Sequence, residues 1–178
     1  MPGTHDPALG LAVIEALFAA GPGAVTLLPR FDKALDGRRP EAEWERFVGP
    51  AEVVLLEGWC VGARPQAQAA LAAPVNALEA DEDPDGAWRR HANDALAGPY
   101  RPLFDRIGHL TYLEAPSFDC VLRWRTRQEE KLRARVGEGA PGVMDAAALA
   151  RFVRHYERFT RHLARTLPER ADLLVELD

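Results

Sequence analysis

The sequence has few of the residues on which hydrolytic and metal-dependent active sites are usually built. Its only two cysteines, Cys60 and Cys120, stand far apart and show no metal-ligand spacing. Ser117 is the only serine, and no nucleophile-elbow motif surrounds it. The five histidines form no H-x-x-x-H or H-E-x-x-H pattern. Serine hydrolases and metal-dependent hydrolases are therefore excluded, and two reduced thiols are typical of a cytosolic protein.

Long apolar runs and an excess of positive charge are also absent. No stretch approaches the roughly 20 apolar residues that a membrane span needs. The amino-terminal residues MPGTHDPALG have neither the basic nor the apolar region of a secretory leader. The net charge of −5 gives no reason to expect nucleic acid or an anionic membrane as a partner. We therefore expect a cytoplasmic protein.

What the chain does have is the composition of one ordinary folded domain. With 178 residues, 47% apolar and 28% charged, it is long enough for one core and short for two, so we expect a single domain over residues 1–178. Four apolar runs predict strands, at residues 25–28, 53–56, 110–113 and 173–177. Helical spacing predicts helices after Asp6, near residues 66–73 and 85–96, and at residues 118–136 and 146–167. Strands separated by helices predict an α/β fold with a mostly parallel sheet.

The run at residues 53–56 predicts a buried strand that ends on an acid, Glu57. Ligands of parallel sheets bind at the carboxyl ends of the strands. In P-loop proteins, an acid in this position lies beside the Mg²⁺ of the nucleotide, downstream of a G-x-x-x-x-G-K-[ST] loop. No such loop precedes Val53. From this residue alone, a rim carboxylate that faces water is an equally good interpretation.

Two motifs near the amino terminus are rich in groups that could bind a small polar molecule. In PGTHD, Asp6 is an N-cap before a proline, and His5 could donate a hydrogen bond or a proton to a hydroxyl group. In LPRFDKALDGRR, five charged residues could bind an anionic, hydroxyl-bearing molecule; they are Arg30, Asp32, Lys33, Arg38 and Arg39. The alternatives are an N-cap with a loop histidine, and a solvated surface loop.

The motif LRWRTRQEEKLR lies in the helix predicted at residues 118–136. Helical geometry places Arg125, Gln128 and Glu129 on the side of the buried stripe. A guanidinium on an inward face needs a partner. That partner is either Glu129, four residues on, or a phosphate group of a nucleotide. Spacing alone leaves both open.

Six motifs follow one another in a recognisable order. They are PGTHD, LPRFDKALDGRRPEAEW, VVLLEGWCVGARPQ, PVNALEADEDPDGAWRRHANDAL, WRTRQEEKLR and GVMDAAALARFVRHYERFTR. In this order, over nearly the whole chain, they resemble the D-glycerate 3-kinase-like group of ATP-dependent P-loop kinases, which is related to uridine kinase, phosphoribulokinase and bacterial pantothenate kinase. The resemblance implies a three-layer P-loop NTPase-type fold, ATP and Mg²⁺ as cofactors, and phosphorylation of a small, glycerate-like substrate.

The resemblance also implies roles for individual residues. Glu57 would be the Walker B-like catalytic acid, in contact with Mg²⁺ through water. Arg125, catalytic as well, would belong with Gln128 and Glu129 to the segment that closes over the phosphates of ATP. The acceptor side, with an arm at residues 25–50, would contain six substrate-binding residues: Thr4, His5, Asp6, Arg30, Asp32 and Lys33. Four residues match the helix after the EGW loop without an implied role: Trp88, Arg89, Asn93 and Tyr100.

The sequence departs from the family's pattern at its start. Family members begin with a strand, a G-x-x-x-x-G-K-[ST] loop and a helix, and a second strand that leads to the catalytic base; this chain begins at PGTHD. Without the phosphate-binding lysine and the base, we expect no activity from the chain alone. One hypothesis is a kinase shortened at its amino terminus, for instance by a misplaced start codon. The other is a non-catalytic remnant that binds a partner or ligand. Joint retention of Glu57, Arg125 and residues 30–33 favours the first.

The same departure predicts exposed sheet edges. In relatives of this fold, the P-loop strand is central, between the strands that correspond to residues 53–56 and 110–113. Without it, both become apolar edge strands of the kind that template association. We therefore expect poor solubility or self-association through these edges.

Overall fold

The computed structural model of the chain describes residues 1–32, 35–137 and 143–177. The helices are α1 (Pro7–Ala19), α2 (Ala77–Glu82), α3 (Ala87–Ala97), α4 (Tyr100–Phe104), α5 (Phe118–Val136) and α6 (Ala146–Thr166). The strands are β1 (Val25–Leu28), β2 (Phe31–Asp32), β3 (Gly37–Arg38), β4 (Glu45–Val48), β5 (Thr111–Glu114) and β6 (Leu173–Glu176). Short 3-10 helices lie at Glu41–Glu43 and Gln68–Leu71. The fold is α/β, and no described helix is long and apolar enough to cross a membrane.

The chain divides into two compact units. The larger unit comprises Met1–Thr4 and Gly62–Asp178, and the smaller unit comprises His5–Val61. The arm predicted at residues 25–50 lies within the smaller unit. The single domain over residues 1–178 stays a prediction.

The first element of the smaller unit is helix α1, which the sequence predicts. The Asp6 carboxylate accepts a hydrogen bond of 3.0 Å from the backbone amide of Leu9, and Pro7 occupies the first turn. An acceptor followed by proline satisfies one of the free amides and sets φ for the helix. The start of α1 is therefore fixed by residues next to one another in the sequence.

The smaller unit also contains two antiparallel pairs. Strand β1, predicted from its apolar run, pairs with β4 from Val25↔Val48 to Leu28↔Glu45. The segment between them, predicted as a plain polar loop, instead contains the hairpin β2–β3, with Phe31 opposite Arg38. The strand β4 was missed because its residues, ERFV, are half charged and exposed on both sides. Its pairing with β1 is what makes it a strand.

The prediction of a buried strand at residues 53–56 is wrong for the described structure. These residues form no strand with any described segment. Val53 and Leu55 are 84% and 90% exposed. An apolar run becomes a strand only where another strand satisfies its amides and carbonyls. No described strand does so here.

In the larger unit, β5 and β6 form a parallel pair from Thr111↔Leu173 to Glu114↔Glu176. Both were predicted, within one residue at each end. It is the one parallel pair among the three two-stranded sheets of the described residues, so the expected mostly parallel sheet is wrong for this part of the chain. Leu113 and Leu173 are exposed on this pair. Association through such surfaces stays a prediction.

The core of the larger unit is helical. Helix α5 contacts α6, where the guanidinium of Arg161 lies 5.1 Å from the ring centre of Phe118. Helix α6 buries an apolar stripe at helical spacing, as predicted. The larger buried apolar side chains of α3, α4 and α6 are Leu96, Tyr100, Phe104, Leu149, Val153, Phe159 and Leu163.

Residues 66–83, which we call the clamped segment, contain a 3-10 helix and the short helix α2, joined by irregular backbone, and are held by polar side chains of α3 and α6. Asn93 is 2% exposed; its amide accepts from the backbone amide of Gln66 at 2.6 Å and donates to the carbonyl of Gln66 at 3.1 Å. Arg89, also buried, donates to the carbonyls of Leu71 and Asp83, both at 2.7 Å. Buried backbone groups outside helices and strands need such partners.

Arg158 of α6 completes the clamp. It is 3% exposed and donates to the carbonyls of Ala70 and Ala73 at 2.8 and 2.7 Å. Two further bonds, of 2.8 and 2.6 Å, reach the carboxylate of Glu79. The guanidinium thus uses its fork for a bidentate ion pair and two loop carbonyls at once. The YER motif of the sequence therefore includes a buried structural arginine.

Candidate functional site

The hairpin β2–β3 borders a cavity in the smaller unit. The cavity has a volume of about 310 Å³. We call it the hairpin cavity; it is lined by Asp32, Leu35, Gly37, Arg38, Arg39, Pro40 and Glu43. Two arginines and two acids among seven lining residues suit a small polar ligand more than an apolar one.

Arg39 joins the two acids of the hairpin cavity. One terminal nitrogen lies 2.6 Å from Asp32 Oδ2, and the other lies 3.0 Å from Glu43 Oε2. These carboxylates raise the pKa of Arg39, with Asp32 as the larger cause. The indole of Trp44 donates to the backbone carbonyl of Arg39 at 2.7 Å. Arg39 is thus fixed at both ends.

Asp6 makes two contacts, one with each carboxylate oxygen. Its Oδ1 caps α1, and its Oδ2 lies 2.9 Å from Nη2 of Arg38. The hydrogen bond from the backbone amide of Leu9 lowers the pKa of Asp6, and the bond from Arg38 lowers it further. Asp6 therefore stays ionised near neutral pH and is an acceptor for Arg38.

The structure places the other predicted substrate-binding residues in different surroundings. Thr4 belongs to the larger unit, where its hydroxyl donates to the carbonyl of Met1 at 2.8 Å. Partial desolvation lowers the pKa of His5, which favours the neutral imidazole at pH 7. Arg30 lies 3.8 Å from Glu45 and does not line the hairpin cavity. Lys33 lies outside the described residues. The structure thus brings Asp32 to the cavity and leaves Arg30 outside its lining.

Glu57 is an exposed carboxylate in the smaller unit. The chain turns directly after it, where the amide of Val61 donates to the carbonyl of Gly58 at 3.3 Å, and Cys60 is buried. Burial raises the pKa of the Cys60 thiol, so this cysteine is an unreactive packing residue. Among the described residues, no three His, Cys, Asp or Glu side chains are grouped as a metal site.

Arg125, Gln128 and Glu129 lie together on α5 in the larger unit. Arg125 donates to Gln128 Oε1, its Nη2 lies 3.5 Å from Glu129 Oε1, and its guanidinium lies 5.2 Å from the ring centre of Phe152. Glu129 is buried and also accepts from the backbone amide of Met144 at 3.2 Å. The Nε of Arg125 is buried and has no hydrogen-bond partner among the described residues.

The arrangement around Arg125 bears on the two alternatives that its spacing left open. The ion pair with Glu129 is present, as the structural alternative predicts. Glu129 engages Nη2 and Gln128 engages Nη1, and the side chain remains 31% exposed. A contact with a phosphate group through two bonds would require Arg125 to exchange one of these partners, and it stays a prediction.

Four residues without a predicted role receive one from the structure. Arg89 and Asn93 hold the clamped segment. The hydroxyl of Tyr100 accepts a hydrogen bond of 3.2 Å from the backbone amide of Gly3. Gly3 has a φ of +93°, and a Cβ there would meet the imidazole of His91 at 2.7 Å, so the first residues of the PGTHD motif require glycine. Trp88 is exposed and packs edge-on against His91.

Sequence reasoning did not single out Arg38, Arg39 and Glu43 as a set. The sequence offers Arg38 and Arg39, with Arg30, Asp32 and Lys33, as residues that could bind an anionic molecule, and it gives no sign of Glu43. The position of Arg38 in the hairpin is set by its pairing with Phe31 across the two strands. The available signal was the alternation of charged and uncharged residues around a glycine, which is weak for strands of two residues.

Comparisons with known proteins place these features in context. No family model matches the chain. It is 32% identical over 164 residues to "Uncharacterized kinase mug58" of Schizosaccharomyces pombe, which covers 86% of this chain and 54% of that protein. It is 26% identical over 188 aligned positions to the chloroplastic D-glycerate 3-kinase of Arabidopsis thaliana, which covers 99% of this chain and 38% of that protein.

A solved structure has the same fold. The D-glycerate 3-kinase from Cryptococcus neoformans var. grubii matches with a TM-score of 0.63 at 23% identity, over 90% of this chain and 56% of that one. The chain thus spans about half the length, or less, of the relatives it matches.

Proposed function

Since the chain is a relative of the D-glycerate 3-kinase-like kinases, we propose that it forms the acceptor-binding part of an ATP-dependent kinase for a small, hydroxyl-bearing, glycerate-like metabolite. The observation that carries this proposal is the hairpin cavity, where two arginines and two acids meet in about 310 Å³. Arginine binds carboxylates, and acids accept hydroxyl protons. We further propose a three-layer P-loop fold for the whole kinase, with the phosphate loop supplied by residues outside these 178.

On the acceptor side, the proposal assigns the chain two tasks: binding and orientation. Asp32 lines the hairpin cavity, and its charge is balanced by Arg39. A neutral His5 can accept a hydrogen bond or proton from a hydroxyl group. Thr4, Arg30 and Lys33 stay proposed members of the acceptor side. Orientation of this kind is the larger part of catalysis by kinases, because phosphoryl transfer needs little covalent chemistry from the protein.

Glu57 is the proposed acid for Mg²⁺. Its carboxylate is exposed and has no ion pair among the described residues, which suits contact with a hydrated ion. When bound, Mg²⁺ neutralises charge on the phosphates of ATP. The task of Glu57 is to hold a negative charge at this place.

Arg125 is the proposed phosphate contact of the lid, with Gln128 and Glu129 as its supports. We expect Arg125→Ala to lower kcat about 10- to 100-fold in a chimera that joins the amino-terminal part of the Cryptococcus kinase to this chain. Arg125→Lys should stay within about threefold of Arg125→Ala, because lysine cannot form two parallel bonds to a phosphate. Steady-state kinetics measure both, with the exposed Arg127→Lys on the same helix as control. Full activity of Arg125→Lys would show that a simple ion pair with Glu129 is sufficient.

The chimera also tests the proposed function itself. We expect the 178-residue chain to give no ATP-dependent phosphorylation of D-glycerate, and the chimera to give steady turnover. The chimera with its P-loop lysine replaced by alanine sets the background. Steady turnover by the chain alone, or a folded chimera that phosphorylates neither D-glycerate nor related polyols, would contradict the proposal.

A second candidate function is a non-catalytic binding module. The observation that favours it is that these 178 residues contain no G-x-x-x-x-G-K-[ST] motif. The DNA upstream of Met1 discriminates the two. An in-frame phosphate-loop motif there supports the kinase, and a nearby in-frame stop codon supports the module.

A further inference from the structure

The two arginines of the hairpin cavity are held in different ways. Both terminal nitrogens of Arg39 are engaged, one by Asp32 and one by Glu43. Its backbone is fixed as well, because its amide donates to the carbonyl of Arg30 at 2.9 Å. Arg39 therefore serves to hold the two acids in place, and it keeps fewer N–H groups for a ligand than Arg38 does.

Arg38 makes a single side-chain contact with the described residues. Its Nη2 contacts Asp6 at 2.9 Å, and no other hydrogen bond or ion pair joins its side chain to a described residue. The side chain is 47% exposed and lines the cavity. A guanidinium presents five N–H groups in a planar fork, so four of the five N–H groups of Arg38, on Nε, Nη1 and Nη2, remain able to bind a carboxylate.

Asp6 is well suited to hold Arg38 in place. Its own carboxylate is fixed by the cap bond from Leu9, and the proline that follows limits the backbone. The ion pair therefore joins a strand residue to a helix start rather than two mobile side chains. An arginine held in this way loses less side-chain entropy when a ligand binds.

The charges around the cavity set the kind of anion that fits. The lining has two arginines, Arg38 and Arg39, and two acids, Asp32 and Glu43. Asp6 adds a negative charge behind Arg38. With Asp6 counted, three acids face two arginines, so each further negative charge on an anion adds repulsion, and a phosphate with two charges is disfavoured more than a carboxylate with one. The acids can still accept hydroxyl protons from the ligand, since each carboxylate has about four acceptor sites.

We propose that Arg38, positioned by Asp6, is the residue that selects a singly charged hydroxy acid over a sugar phosphate at the acceptor site. The proposal rests on the proposed function, because that function makes the hairpin cavity an acceptor site. It assigns Asp6 a positioning task and removes it from the residues that touch the substrate.

The test is a titration of the ¹⁵N-labelled 178-residue chain with three small probes of similar size. They are D-glycerate with one negative charge, glycerol with none, and glycerol 3-phosphate with two. Arginine Nε–Hε resonances report binding, and the signal of Arg38 is assigned from its absence in Arg38→Lys. We expect D-glycerate to shift this signal in a saturable way, and to bind at least tenfold more tightly than either other probe.

Variants separate selection from folding. Arg38→Ala should weaken D-glycerate binding at least tenfold and abolish its preference over glycerol, because the discriminating charge is lost. Asp6→Asn, which keeps an acceptor for the helix cap, should cause a smaller loss. Arg38→Lys keeps the charge and should stay weaker than wild type. The control Arg46→Ala, an exposed arginine of β4, should bind like wild type.

Several outcomes would overturn the proposal. They are unchanged D-glycerate affinity in Arg38→Ala, glycerol 3-phosphate binding as tight as D-glycerate, or no saturable binding of D-glycerate to the folded wild-type chain. The chimera tells this failure from failure of the proposed function. Turnover of D-glycerate that survives Arg38→Ala sinks the role of Arg38 and leaves the kinase intact. If D-glycerate binding depends on Arg38 but the chimera shows no turnover, the role of Arg38 stands and the proposed function fails.

Discussion

Glu57→Gln is expected to lower kcat of the chimera by about 10²- to 10³-fold while the KM for D-glycerate changes less than about threefold. Glutamine keeps the shape of the side chain and removes the charge that would act on the phosphates through Mg²⁺. The loss should therefore fall on the chemical step and leave acceptor binding nearly intact. Steady-state kinetics at saturating ATP and Mg²⁺ measure this split.

A neighbouring acid provides the matched control for Glu57. Glu52 is exposed and lies in the same segment, five positions earlier. Glu52→Gln removes the same charge at a place that the proposal does not use, so kcat should stay within about twofold of wild type. If Glu57→Gln behaves like Glu52→Gln, then Glu57 is a rim carboxylate that faces water.

Arg158→Ala is expected to lower the free energy of unfolding of the chain by about 3–5 kcal/mol. The change leaves the Glu79 carboxylate, which is 15% exposed, without its cation, and it leaves the carbonyls of Ala70 and Ala73 without the donors of Arg158. A domain has about 5–15 kcal/mol of net stability, so this loss is a large fraction of that margin. Urea unfolding followed by circular dichroism, at protein concentrations low enough to prevent association, measures it.

Arg161 is the control for Arg158 on the same helix. It forms an ion pair of 2.8 Å with Glu157, and its side chain is 51% exposed. Because water screens such a pair, Arg161→Ala should cost less than about 1 kcal/mol. Equal losses in the two variants would mean that the clamp adds nothing beyond an ordinary surface ion pair.

The elements that the sequence predicts well are those fixed by neighbours along the chain. The cap at Asp6, the helix α5 and the apolar stripe of α6 all depend on residues within a few positions of one another. The grouping of Arg125, Gln128 and Glu129 was predictable for the same reason, since it follows from one helical turn. Local chemistry determines these features.

The elements that the sequence did not predict depend on distant partners. Strand β4 forms because β1 pairs with it. The run at residues 53–56 forms no strand, because no described strand pairs with it. In the candidate site, the contact of Asp6 with Arg38 joins residues 32 positions apart. A charged loop read from sequence alone could not show which arginine contacts two acids and which contacts one.

The contacts of the clamped segment become possible at different times while the ribosome synthesises the chain. Asn93 follows Gln66 by 27 residues, so the side chain that holds Gln66 is synthesised early. Arg158 comes 88 residues after Ala70. Synthesis proceeds at about 5–20 residues per second, so about 4–18 s pass between the synthesis of Ala70 and that of Arg158. During that interval the nascent larger unit is open to chaperones and proteases, and the emergence of α6 ends it.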